Sequence, residues 1–102
     1  MNRVYQVVTA GLLACSVVPA WAQADTLQLR SWASACSNCH GTNGVAQPGM
    51  ETLAGASKEG MTQKLLDFKS GRRPATIMHQ LAKGYTDEQL EQIAGYFAAQ
   101  KK

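Results

Sequence analysis

The sequence holds little that would build a sheet. Beyond residue 22 no stretch sustains strand alternation, which leaves an all-α reading. Charge of one sign is also scarce, with ten Lys plus Arg against seven Asp plus Glu. So small a net charge points neither to nucleic acid nor to a polybasic membrane contact. Cysteine is nearly absent: beyond residue 22 there are only Cys36 and Cys39, three apart. A disulfide over so short a span would constrain the unfolded chain little, so the pair reads as redox-active or as a ligand attachment point. There are no paired carboxylates in a recognisable site, no nucleophile–base pattern and no phosphate loop. The chain therefore does not read as a catalyst on its own. Internal repeats and low-complexity tracts are missing as well.

No apolar run reaches the length of about 20 clean residues that a membrane span needs. The segment from Met1 to Ala22 comes nearest. Met1-Asn2-Arg3 gives a positive start, and Val4 to Ala20 is apolar or small apart from Tyr5, Gln6, Thr9 and Ser16. Ala20-Trp21-Ala22 then offers small residues at the two positions that a signal peptidase reads. The expectation is a cleavable signal peptide over residues 1–22, export to the periplasm, and no stable membrane insertion after cleavage. A retained anchor, or lipidation at Cys15, are the competing readings. Cleavage leaves one small domain over residues 23–102 with a slight positive charge. A core of that size is marginal, and such domains often need a metal, a staple or a cofactor.

Three stretches carry helical period. In the first, from about Thr26 to Cys39, Leu29, Trp32, Ala33 and Cys36 share a face, with Asp25 and Gln28 placed as a capping box. The second runs from about Lys58 to Ser70. Ser57 caps it, Gly71 ends it, and Met61, Leu65 and Phe68 share a face. The third is capped by Thr86 and Gln89 and stapled by Tyr85 and Leu90. It buries Leu90, Ile93, Ala94 and Phe97 and reaches about Gln100. Gly41 to Ala56 and Arg72 to Thr76 read as loops, and Ile77 to Leu81 as one further helical turn.

Cys36-Ser37-Asn38-Cys39-His40 is the attachment pattern for haem c. Two cysteines three apart at a helix end reach two vinyl groups on one haem edge as thioethers, and the next residue, His40, is the proximal iron ligand. A thiol–disulfide oxidoreductase would need a βαβ pattern that is absent. A structural zinc would have to gather Cys36, Cys39, His40 and His79, although His40 abuts Cys39. The distal ligand must come from Met50, Met61, Met78 or His79. Met61 lies on an apolar helical stripe, as core methionines do. Met50 follows His40 closely in the chain, a short path from one haem face to the other. Met78 lies much further on, in a loop-like segment, and is the preferred distal ligand, with His79 its rival. Met/His ligation suits electron transfer, since the thioether raises the potential.

The order helix, C-x-x-C-H, glycine-rich loop, helix, Met-bearing loop and capped final helix resembles class I cytochrome c along residues 23–102. Leu53-Ala54-Gly55, the run Asp67-Phe68-Lys69-Ser70-Gly71-Arg72-Arg73-Pro74-Ala75-Thr76, and Met78 with Ala82-Lys83-Gly84-Tyr85-Thr86-Asp87-Glu88-Gln89 are similar to the haem subunit of flavocytochrome c sulfide dehydrogenase. The resemblance implies an all-α fold of three to four helices around one covalent haem c, with Met78 as sixth ligand. It also implies a flavoprotein (FAD) sulfide dehydrogenase partner, and other redox proteins as electron acceptors. The competing roles are a free-standing periplasmic electron shuttle and a haem sensor or peroxidase with an open iron site. One departure stands out. Class I cytochromes usually place a proline before the Leu-Ala-Gly segment, and its carbonyl orients the proximal histidine. Here Glu51 and Thr52 occupy those positions. Leu53, Leu65, Phe68, Ile77, Leu81, Leu90, Ile93 and Phe97 are the expected wall or core residues. Lys58, Lys64, Lys69, Arg72, Arg73 and Lys83 are candidates for a docking rim.

Overall fold

A computed structural model describes residues 26–102, together with Gly11 and Ala14. The expected leader otherwise lies outside the described residues, as does the Asp25 cap. Four helices follow in order: α1 (Thr26–His40), α2 (Lys58–Ser70), α3 (Met78–Lys83) and α4 (Asp87–Ala98). A short 3-10 turn at Thr42–Gly44 follows α1. The described residues contain no strand, and none of their helices is long and apolar enough to cross a membrane.

The helix ends follow from local chemistry. The Ser57 hydroxyl accepts from the Gly60 N–H, and Gly71 closes α2 in the left-handed conformation. At α4 the Thr86 hydroxyl accepts from the Gln89 N–H at 3.1 Å, while Gln89 Oε1 accepts from the Thr86 N–H at 2.9 Å. That reciprocal box satisfies two donors which helix geometry leaves unpaired.

Packing follows the apolar faces. α4 buries Leu90, Ile93, Ala94 and Phe97, and it packs against both α1 and α2. Ala33 of α1 and Met61 of α2 complete a buried cluster with Ile93, Ala94 and Phe97. Leu29, Trp32, Cys36, Leu53, Leu65 and Tyr85 lie against it. Met61 is thus a core residue, as its place on the α2 stripe suggested. Phe97 is the anchor: it is fully buried and meets the Tyr96 ring edge-on with centroids 5.2 Å apart.

Three details differ from the sequence reading. Met78 is not in a loop but opens α3, which runs on to Lys83. The Ile77 carbonyl accepts from the Gln80 and Leu81 N–H groups, and the short helix rests on α2, which supplies what its sequence lacks. α4 stops at Ala98, because the Phe97 carbonyl accepts from Gln100 and Gly55 and the last turn tightens. Ile77 and Leu81 are not core: they are 57% and 43% exposed.

Candidate haem site

α1 ends on the attachment motif. Residues three apart on a helix share a side, so Cys36 and Cys39 sit one above the other on its last turn. No disulfide joins them; Cys36 is half-buried and Cys39 exposed. Burial pushes the Cys36 thiol above its ordinary range, against a weaker opposing backbone hydrogen bond. A reactive C-x-x-C works by the reverse effect, a lowered thiol pKa. With no strand among the described residues either, the oxidoreductase reading loses its support. The zinc reading fares no better, since no three His, Cys, Asp or Glu side chains among the described residues converge on a common point.

His40 is the last residue of α1, and the chain turns at once at Gly41, whose φ is 85°. A side chain there would collide with the Val45 carbonyl, so only glycine fits this turn. The loop then folds back. The Gly44 carbonyl accepts from the Leu53 and Ala54 N–H groups at 2.8 and 3.1 Å, and Thr52 Oγ1 accepts from the Ala46 N–H at 3.2 Å. Gly55 donates to the Phe97 carbonyl at 3.0 Å, which ties the loop to the end of α4. The Tyr96 hydroxyl reaches Asn43 Oδ1 at 3.4 Å.

The returning limb of this loop brings the Glu51 carbonyl to 2.6 Å from His40 Nδ1. A carbonyl only accepts, so Nδ1 carries a proton, and in the neutral imidazole Nε2 then keeps a free lone pair. This is the state a metal-binding imidazole requires, with its other nitrogen oriented by a backbone oxygen. The residue that replaces the usual proline therefore takes over its role, and Glu51 rather than Thr52 supplies the carbonyl.

The distal candidates separate by burial. Met61 is in the core, Met50 is exposed, and Met78 and its neighbour His79 are half-buried. His79 Nδ1 is buried with no hydrogen-bond partner among the described residues. Large apolar side chains are exposed at Val45 and Met50 in the loop after His40, and at Ile77 and Leu81 beside Met78. Two cysteines on one side of a helix end, an imidazole with Nε2 available, an orphaned buried nitrogen and exposed apolar side chains on both flanking segments all fit a haem group. A groove of about 420 Å³ at the end of α2, lined by Asp67, Lys69, Arg72 and Asp87 among others, includes none of these residues.

Half of the expected basic rim is occupied within the chain. Lys58, Lys64 and Lys69 pair with Glu91, Glu51 and Asp87 at 3.5, 2.6 and 2.7 Å. The Arg73 guanidinium lies over the Phe68 ring, 5.7 Å from its centroid. The pairing of Lys64 with Glu51, remote in sequence, has no local signal.

No family model matches the chain. Among proteins of known role, the chain is 31% identical over 70 residues to cytochrome c-554(548) of Halomonas halodenitrificans, a match that spans 65% of this chain and 84% of that protein. The chain belongs to the class I cytochrome c family. Membership makes its cofactor haem c. Two further relatives are longer cytochromes. The cytochrome subunit of sulfide dehydrogenase from Chlorobaculum tepidum is 44% identical over 62 residues, 61% of this chain. The thiosulfate dehydrogenase electron acceptor of Thiomonas intermedia is 31% identical over 103 residues, 99% of this chain. This cytochrome spans 56% of the length of the first and 45% of the second.

Proposed function

We propose that this cytochrome is the electron-accepting subunit of a periplasmic sulfide dehydrogenase, paired with a flavoprotein and holding a single haem. Cys36 and Cys39 would hold the haem as thioethers, and His40 through Nε2 and Met78 through its sulfur would ligate the iron. When bound, the haem supplies one-electron iron chemistry. The chain's own part is to hold and tune. The Glu51 carbonyl keeps the His40 proton on Nδ1, and the Met78 thioether as an iron ligand would favour the ferrous state and raise the potential. The exposed apolar side chains of Val45, Ile77 and Leu81 would pack on the haem and shield it from water. The observation that carries the haem reading is the 2.6 Å bond from His40 Nδ1 to the Glu51 carbonyl, which leaves Nε2 available on a C-x-x-C-H motif. What favours the flavoprotein partner is the 44% identity to a sulfide dehydrogenase cytochrome subunit.

A second reading is a free-standing shuttle between redox complexes of the periplasm. It is favoured by similarity over nearly the whole chain to a thiosulfate dehydrogenase electron acceptor. Gentle isolation of the tagged chain and measurement of flavin per haem decides between the two. A ratio near one, with haem reduced on adding sulfide, supports the dehydrogenase subunit. Haem alone, unreactive to sulfide, moves the reading to the shuttle. The distal ligand has its own test: Met78→Ala abolishes the methionine–iron charge-transfer band of the oxidised protein. A band that survives the substitution rules Met78 out.

A further inference from the structure

The carbonyl that orients His40 belongs to a residue without a proline ring. A proline ring locks its own φ, whereas a glutamate leaves that torsion soft. Residue 51 is instead held through its side chain. Glu51 Oε1 accepts from Lys64 Nζ at 2.6 Å, while the carbonyl of the same residue accepts from His40 Nδ1 at 2.6 Å. Lys64 stands on α2, one turn beyond the buried Met61, in a helix closed at both ends. Other hydrogen bonds of the loop secure its neighbours: the Leu53 and Ala54 N–H groups donate to the Gly44 carbonyl, and the Ala46 N–H donates to Thr52 Oγ1. The ion pair adds an anchor to the neighbouring helix at residue 51 itself.

We propose that Lys64 is a positioning residue for the axial histidine: its ion pair with Glu51 anchors the carbonyl that orients His40 to α2. The proposal rests on His40 as the iron ligand and not on the identity of any redox partner.

The ion pair is half exposed, so its contribution to global stability is small. Its effect lies in the ligand. A firm hydrogen bond from Nδ1 fixes the imidazole plane and raises the basicity of Nε2, which stabilises ferric iron and lowers the potential. Loosening residue 51 weakens that bond, and the potential rises. Loss of the lysine charge alone works in the opposite direction. A positive charge near the haem disfavours the ferric state, so removing it lowers the potential. The sign of the change separates positioning from simple electrostatics.

The experiment uses the haem-bound protein with Lys64→Gln, Lys64→Arg and the swapped pair Glu51→Lys with Lys64→Glu. Two quantities are measured: the reduction potential, and the solvent exchange rate of the His40 Nδ1 proton by NMR. Lys64→Gln is expected to raise the potential and speed exchange severalfold. Lys64→Arg, which keeps the pair, restores both, and the swapped pair restores exchange protection. A lowered potential with unchanged exchange overturns the proposal and leaves Lys64 as a remote charge. Unchanged values for both quantities overturn it too. If His40 is not the ligand, the unsubstituted protein lacks a histidine-ligated low-spin spectrum, a result distinct from either outcome.

Discussion

The part of the chain built from α1, α2 and α4 and the part built from the loop after His40 with α3 treat apolar surface in opposite ways. In the first, Leu90, Ile93 and Phe97 are sealed from solvent and the N-terminal ends of α2 and α4 are capped by the side chains of Ser57 and Thr86. In the second, α3 buries only Ala82, its Ile77 cap position makes no side-chain hydrogen bond, and Val45, Met50, Ile77 and Leu81 are exposed. Apart from Leu27 at the start of α1, which is 71% exposed, one region closes on itself, and the other is shaped to be completed by a cofactor. A domain of this size has little core to spare, so a haem serves as structural material as well as a redox centre.

The largest effect should come from the self-sealed region. Phe97→Ala removes a fully buried ring that also meets the loop at Gly44, where an added side chain would come within 2.7 Å of Phe97 Cδ1. Cavity formation of this kind costs about 3–5 kcal/mol. Denaturant unfolding of the haem-bound protein measures it. A loss under about 1 kcal/mol would mean that the cofactor, not this core, carries the fold, and the contrast would collapse.

A medium effect is expected from the other region, and it sharpens the contrast. Ile77 is 57% exposed in the protein chain. Exposed residues away from special features usually shift stability by less than about 0.5 kcal/mol. If Ile77 is a haem wall, Ile77→Ala costs the haem-bound protein about 1 kcal/mol or more, because apolar area is lost against the ring. It also shifts the haem absorption spectrum, which an ordinary surface substitution does not. A silent Ile77→Ala would return Ile77 to the surface and leave α3 without a role in covering the cofactor.

The two regions are not equally legible in the sequence. Cap residues and apolar period act within a few positions, so sequence alone bounds α2 at Lys58 and Ser70 and names the buried face of α4 residue by residue. The attachment motif is equally local. α3 is partly visible, as a turn over Ile77 to Leu81, but the sequence reading leaves Met78 in a loop-like segment. The helix has no side-chain cap and gains its support from α2, which no window of sequence reports. Apolar character alone groups Ile77 and Leu81 with wall and core residues, and it does not distinguish a wall from an interior. The departure at Glu51 is legible as a question, namely which carbonyl faces His40. Its answer needs the loop closure at Gly44 and the tether from Gly55 to Phe97, both long-range. The Glu51–Lys64 pair has no signal at all, because two charges so remote in sequence meet only once the loop is folded.

The smallest effect joins the two regions at Tyr85, which packs against the sealed core and lies close to Cys36. Burial is the main cause that raises the Tyr85 hydroxyl above its ordinary value of 10.0, and negative charge on Cys36 adds to it. A raised folded-state pKa means that the folded protein keeps this proton longer than the unfolded chain does. The stability so contributed is complete below about pH 10 and is lost as pH rises through the folded value. If Cys36 holds the haem as a thioether, as proposed, it carries no charge in the haem-bound protein and only burial remains. The expected alkaline loss is therefore modest, and Tyr85→Phe should remove it: stability of the variant falls less steeply than that of the unsubstituted protein between about pH 9 and about pH 11. Every other ionisable group is common to both proteins and cancels in the difference. Parallel curves would mean that haem attachment leaves the Tyr85 hydroxyl in water, and that the sealed core ends short of the attachment site.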